Sequence, residues 1–503
     1  MKIIRKLIDK YKLIICISII ACLIIHLPLI TKNIFSADIL LNTGYYQGYA
    51  WEISLGRFGL YIIGIIKNFL VMKELETIIS IIILTASLIL ILDLFKIKSK
   101  SLQIIGTLIA ISSPIASATL LFHYCSLAYF LAFFCSTLAI YLFVRTKHFL
   151  FKFIIPILLI AFSLSCYQAY LSLPITCILI YFIIKLLTKE FTLKEGFTSL
   201  IIIIGGVVVY YILMNLSLFI FNIDLSTYQN ANTFGLNNLL SLKDGLINSY
   251  QVFYDFYFTD TITTNSNLLL IFLNISIFII LFISLILEII KRNLKPKDII
   301  LLSICILILP IAINIITLIM PSTNMQLLMS TSYLLIFFLI CYLVQNNKVL
   351  KVAAIIVFVL LIRGYVIEDN ATYQTLSLTY QKTYQIAADI NEKIKEYGFD
   401  KQIMIAGNLS DNSYYNARFK TELINIFKLN YGFISNYSLF WNEYSNMKNG
   451  WARFMELFFG TPLNFVDNKT YQEILNSKEY NTMESYPDKE SIKVINDIIV
   501  IKF

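Results

Sequence analysis

FGLYIIGIIKNFLVM, residues 58–72, is apolar enough to enter a bilayer but shorter than the roughly 20 residues a helix needs to cross about 30 Å of hydrocarbon. Whether it crosses decides the orientation of every loop after it. The run before it, 13–30, is led by Lys2, Arg5, Lys6, Lys10 and Lys12, a cluster that the cytoplasmic bias of basic residues places inside. Residues 31–74 then emerge outside. If 58–72 stays on that side, as an amphipathic or re-entrant helix along the interface, the later basic loops all fall inside. These are Lys96, Lys98 and Lys100; Arg145, Lys147 and His148; Lys185, Lys189 and Lys194; Lys291, Arg292, Lys295 and Lys297; and Lys348 with Lys351. A crossing at 58–72 would invert them, so a non-crossing segment and a cytoplasmic N-terminus are expected.

Composition supports the same class. The 503 residues are 58% hydrophobic and 14% charged, and a mean hydropathy of +0.75 does not describe a soluble domain. About eleven apolar runs are long enough to count as helical spans: 13–30, 75–95, 101–122, 124–144, 149–166, 168–187, 198–221, 267–290, 299–320, 331–346 and 348–366. They are continuously apolar rather than alternating, which excludes a strand barrel. The net charge of +9 sits in short clusters between the runs, as in cytoplasmic loops, and nucleic acid is not an expected partner. All eight cysteines lie within or at the ends of apolar runs without a CxxC pair, so they read as buried hydrophobes rather than a disulfide framework or zinc site.

The expected organisation is a transmembrane domain over 1–366, including the outer loop 31–74, and an extracytoplasmic domain over 367–503. The tail changes character, with an amphipathic helix expected from Asn370 to Tyr397, a strand at 402–407, a helical segment around 415–428 and a closing strand, KVINDIIVIKF, at 493–503. Strand alternating with helix implies a small α/β domain. There is no GxGxxG after a strand, no Walker lysine and no HExxH, so an enzyme here would not act on soluble nucleotides.

Polar residues collect at the outer face. Asp38 begins the outer loop, and Trp51, Glu52 and Arg57 close it. His123 and Tyr124 cap one outer turn, Tyr167, Gln168 and Tyr170 cap another, and Arg363 lies near the outer end of the last span. Each has a plain reading beside a functional one. Asp38 is a solvated acid, a helix cap or a base; Glu52 and Arg57, five apart, are a surface ion pair or part of a site. Arg363 snorkels to headgroups or binds an anion, since an arginine at a translocated face runs against the positive-inside bias. His123 is a hydrogen-bonded interface residue or a functional one. The aromatic rings are an interfacial belt or a sugar platform.

Taken together, the basic start, the single span, the outer loop opening on Asp38 and closing on Trp51-x(4)-Gly56-Arg57, and the later Ser165-x-Tyr167-Gln168-x-Tyr170 resemble the Gtr-type (GtrII-like) glucosyltransferases. That resemblance implies a GT-C architecture with outer interfacial helices, a polyprenyl-phosphate sugar donor, a cell-surface polysaccharide (such as an O-antigen) or glycolipid acceptor, inversion at the anomeric carbon and a place in the bacterial cytoplasmic membrane. One feature departs from it: such loops often carry two adjacent acids, and here Ala37 precedes Asp38. Whether Glu52 replaces the second acid stays open.

The chemistry suits this family. A phosphate leaving group departs without a general acid, so the site needs a carboxylate for the acceptor hydroxyl proton and cations for the departing phosphate. Asp38 is the candidate base with Glu52 as the second catalytic carboxylate. Arg57 and Arg363 are candidate phosphate ligands, with His123 beside them. Trp51, Tyr124, Tyr167, Gln168 and Tyr170 are the expected sugar and acceptor contacts. No cofactor is required, although Asp38 with Glu52 could hold a divalent metal. The alternatives are an envelope polysaccharide polymerase or ligase, a secondary transporter and a non-catalytic scaffold. A polymerase would concentrate basic residues in one large outer loop, whereas 222–266 carries only Lys243 among Asp224, Asp244, Asp255 and Asp260. A transporter would show internal repeats and ionisable residues in mid-span.

Overall fold

The computed structural model describes residues 2–35, 37–227, 242–259, 268–321, 325–407 and 444–503, and the helical segment expected at 415–428 and Asp260 lie outside them. The first half of the chain is a succession of helices: α1 (Lys2–Ile25), α2 (Leu27–Thr31), α3 (Ala37–Leu41), α4 (Tyr49–Ser54), α5 (Phe58–Ile66), α6 (Lys73–Leu94), α7 (Lys100–Ile111), α8 (Pro114–Leu121), α9 (His123–Arg145), α10 (Ile155–Cys166), α11 (Ser172–Leu187) and α12 (Leu193–Phe221). Later helices are Leu242–Phe258, Leu268–Arg292, Pro296–Ile313, Leu334–Val344 and Lys348–Tyr397.

Seven described helices are long and apolar enough to cross a membrane, and α7 with α8 makes an eighth if that pair, bent by more than 40°, is one span. The bend falls where Ser113 caps α8 and Pro114 opens it, a residue with no N–H to continue the preceding ladder. The other three expected spans are helical too but miss that standard. The first half of α1 is charged, while Leu150–Cys166 and Thr331–Val344 are shorter apolar helices. The HYCS segment expected as a turn is the first turn of α9, and Phe122 alone separates it from α8.

Contacts divide the chain into two compact units, one of residues 1–30 and 44–370, the other of 31–43 and 371–503. In the first unit α6 lies along α9, α9 against α10, and α10 against α12. Small hydroxyls allow the close approach of α9 and α10: Ser163 Oγ donates to the Ala132 carbonyl at 2.9 Å and receives Ser136 Oγ at 2.8 Å. The end of α6 is tied down by Asp93, whose carboxylate receives Lys10 Nζ at 2.5 Å, Arg145 Nη2 at 3.0 Å, and the Tyr11 and Tyr141 hydroxyls at 3.2 Å.

The expected span at 348–366 and the amphipathic helix after it are one continuous helix of 50 residues. Hydropathy changes along it, but no proline interrupts it, and it ends only at Gly398, φ +112°. In the second unit a three-stranded sheet has the order β1 (Gln402–Ala406), β3 (Ile498–Lys502), β2 (Ile492–Ile495). Strand β1 runs parallel to β3, Gln402 opposite Ile498, and β2 runs antiparallel to it. The single closing strand expected at 493–503 is therefore a hairpin. Asn496 and Asp497, at φ 48° and 63°, make its two-residue turn, the pair of left-handed positions that a tight hairpin requires. Met404, Ala406, Val466, Ile474, Met483 and Val500 form the core beside the sheet.

Candidate active site

The segment 44–72 closes on itself. Tyr46 N donates to the Phe69 carbonyl at 2.9 Å, Val71 N donates to the Gly44 carbonyl at 3.1 Å, and Asn68 and Phe69 turn the chain back at φ 51° and 57°. Between these ends α5 has nine residues, about 13 Å at 1.5 Å per residue, under half the thickness of a bilayer core. The two ends of the segment therefore lie side by side.

Inside this closed segment the end of α4 is wound tightly. Arg57 N donates to the Glu52 carbonyl at 2.7 Å, and Gly56 lies at φ +79°, a conformation that disfavours a side chain. The turn brings Arg57 Nη1 to 3.3 Å from Glu52 Oε2. Glu52 is only 6% exposed and the Arg57 side chain 23%, so this is a part-buried pair and not the surface ion pair that spacing alone allows. Its other oxygen accepts the Tyr46 hydroxyl at 2.7 Å. The guanidinium lies 4.7 Å above the Tyr167 ring, a cation–π placement, and Tyr167 is in turn stacked on Tyr129.

The two short motifs meet directly. Gln168 Nε2 donates to the Leu55 carbonyl at 2.6 Å and to the Tyr210 hydroxyl at 2.9 Å, and that hydroxyl donates to the Gly56 carbonyl at 3.1 Å. A Cβ on Gly56 would stand 2.6 Å from Tyr210 Oη and 2.8 Å from Met214 Sδ, and one on Gly59 would stand 2.4 Å from Ser165 Oγ. Both glycines are thus required by space, and Gly56 by conformation as well.

Electrostatically the site is a part-buried cation with one unfilled edge. Burial works against the Arg57 charge, but the facing Glu52 and its neighbours outweigh it, so Arg57 sits above its ordinary pKa and stays protonated. Burial, with Cys125 and Glu52 adding, also holds the Tyr46 hydroxyl far above its usual value, so it remains a donor to Glu52. Arg57 Nε is buried and has no hydrogen-bond partner among the described residues, whereas buried donors are normally satisfied. An anion's oxygen would complete it.

The structure thus brings Glu52, Arg57, Tyr167 and Gln168 together. Trp51 is on α4, half exposed. Tyr124, in the first turn of α9, packs against Tyr46 at a tilt of 38° with ring centroids 5.0 Å apart. Tyr170 is buried against Tyr129 and Tyr167 and so forms wall rather than open surface. His123 is buried at the start of α9, with no hydrogen bond to Glu52 or Arg57 among the described residues. Arg363 is exposed on the 50-residue helix and has no ion pair among the described residues. Asp38 belongs to the second unit. It lies in α3, where its carbonyl accepts Asn42 Nδ2 at 2.9 Å. Among the described residues no three His, Cys, Asp or Glu side chains are grouped to hold a metal ion.

Sequence reasoning took Tyr46 only as one of the outer aromatic rings, and it missed Tyr210 and the buried pair of Lys67 with Glu76 at 2.9 Å. For that pair a signal was present: Lys67 is a lysine inside an apolar stretch and Glu76 an acid at the start of a span, and each needs a partner there.

Helices long and apolar enough to cross a membrane, together with a part-buried arginine–carboxylate pair on a loop closed on itself, describe the class as a membrane protein with a polar site beside its helices. The glucosyl transferase GtrII family model matches residues 27–342, more than half of the chain and all of the assembled site, and the chain belongs to that family. It is accordingly a glucosyltransferase, which uses a sugar donor and an acceptor. No curated protein and no solved structure matches the chain.

Proposed function

We propose that this protein transfers a hexose, most simply glucose, from a polyprenyl-phosphate carrier to a cell-surface polysaccharide or glycolipid at the outer face of the bacterial cytoplasmic membrane, with inversion. The observation that carries the reading is Arg57, a part-buried guanidinium oriented by Glu52 and Tyr167 whose buried Nε–H lacks an acceptor among the described residues. A phosphate oxygen is the acceptor it suits, and guanidinium holds phosphate well.

In this scheme the acceptor hydroxyl oxygen forms the new bond to the anomeric carbon while the bond from that carbon to the phosphate oxygen breaks. The electron pair leaves on the phosphate, where Arg57 stabilises it, and the hydroxyl proton passes to a carboxylate. Asp38 is the proposed acceptor of that proton, an assignment that rests on its place in the sequence pattern, and Glu52 is the alternative. Arg363 and His123 are secondary phosphate ligands in the proposal, and Trp51, Tyr124, Tyr167, Gln168 and Tyr170 surround the sugar.

The deciding experiment follows radiolabel from polyprenyl-phosphate glucose to envelope polysaccharide with the purified full chain and its Asp38→Asn, Glu52→Gln and Arg57→Ala variants. Loss of about 100-fold or more in folded Asp38→Asn supports Asp38 as base, and a similar loss in Arg57→Ala supports phosphate stabilisation. Full activity in Asp38→Asn with loss in Glu52→Gln moves the base to Glu52. No transfer by the native chain from any lipid-linked sugar ends the donor assignment.

A further inference from the structure

We propose that the buried Lys67–Glu76 pair is a positioning device for Arg57, an inference that rests on Arg57 as the phosphate ligand. Lys67 caps the end of α5 and Glu76 sits in the first turn of α6, with side chains only 8% and 2% exposed. Lys67 Nζ lies 2.9 Å from each Glu76 oxygen and 3.1 Å from the Tyr124 carbonyl. An ammonium has three N–H donors, and all three are used, so Lys67 has none left for a ligand. Glu76 Oε1 also accepts the backbone N–H of Met72 at 3.1 Å.

The pair therefore fastens three pieces of chain at one point: the end of α5, the turn before α6 and the first turn of α9. From that point contacts run without a gap to the guanidinium. The Tyr124 ring packs at a tilt against Tyr46, the Tyr46 hydroxyl donates to Glu52, and Glu52 holds Arg57. Taking two charges out of water is costly, and a buried pair is better accounted for by the register it imposes than by net stability. Here the register imposed is that of the loop carrying Arg57.

A role in register makes a different prediction from a role in holding the fold. If the pair acts through Arg57, removing it should matter little once Arg57 is gone. The test combines Lys67→Met/Glu76→Met with Arg57→Ala in the full chain. Transfer from polyprenyl-phosphate glucose is read as kcat/KM, and Arg57 modification by phenylglyoxal is read by mass spectrometry, which needs no substrate. The double variant should lose about tenfold in kcat/KM in the native background but less than about twofold in the Arg57→Ala background. Arg57 should react at least about threefold faster in the double variant. Equal losses in both backgrounds, or an unchanged Arg57 rate in a folded double variant, would overturn the proposal. If the double variant does not fold, Glu76→Gln must itself speed Arg57 modification, and an unchanged rate there overturns it too. A native chain that transfers no sugar would sink the donor assignment, while the phenylglyoxal comparison would still decide whether the pair positions Arg57.

Discussion

Gly56 turns left-handed at φ +79° with the Tyr210 hydroxyl, Met214 sulfur and Gln168 amide pressed around the place where a Cβ would be. Gly56→Ala must strain the backbone or push those groups away, at a cost of about 1–3 kcal/mol. The expected outcome is a lower Tm in detergent together with loss of transfer, since Arg57 follows directly in the chain. Tyr46→Phe takes the hydroxyl from a buried carboxylate oxygen and should cost about 1–3 kcal/mol, checked by the same melt and by faster phenylglyoxal modification of Arg57. At this scale the sequence showed half of the site. Trp51, Gly56 and Arg57 stand in one short motif, and Glu52 five residues from Arg57 can be paired on paper. That the pair is part-buried could not be read, because it depends on Tyr46 and Tyr167, which pack against it from elsewhere in the fold.

The hairpin β2–β3 rests on Asn496 and Asp497, both in the left-handed region. Asp497→Val places a β-branched residue there and should cost about 1–2 kcal/mol, seen as faster proteolysis of the tail than in the native chain. An Asn-Asp pair between alternating apolar residues was a visible hairpin signal, and the run of hydrophobic residues around it hid the turn. The long helix Lys348–Tyr397 was divided at its change of hydropathy although neither proline nor a capping glycine marks a stop there. Helix α6 is pinned at both ends, by Glu76 and Asp93, which are separated by about 25 Å at 1.5 Å per residue. Asp93→Asn leaves Lys10 and Arg145 without their shared carboxylate and should cost about 1–3 kcal/mol, which lowers Tm by about 1–3 °C in a chain of this length.

Across the whole molecule, each apolar run in the sequence proved helical, because continuous isoleucine and leucine over such lengths has few alternatives in a bilayer. The division into units was less legible, since residues 31–43 join the tail and not the helices around them. The proposed orientation is tested in intact cells. In a Cys16→Ser background, which removes an exposed thiol, an impermeant maleimide should label Glu484→Cys and leave Lys98→Cys unlabelled; the reverse pattern would invert the topology. Because the proposed chemistry runs on arginine and carboxylate alone, transfer should persist in excess chelator, and its abolition with restoration by a divalent ion would bring a metal into the scheme. The contact of Gly56 and Gly59 with Ser165, Gln168 and Tyr210 also bears on engineering. A chimera that imports this loop from a homologue inherits surfaces shaped for other partner helices, so loop grafts in this family should keep the fold only when residues 165–168 and the Tyr210–Met214 stretch of α12 are transplanted with it.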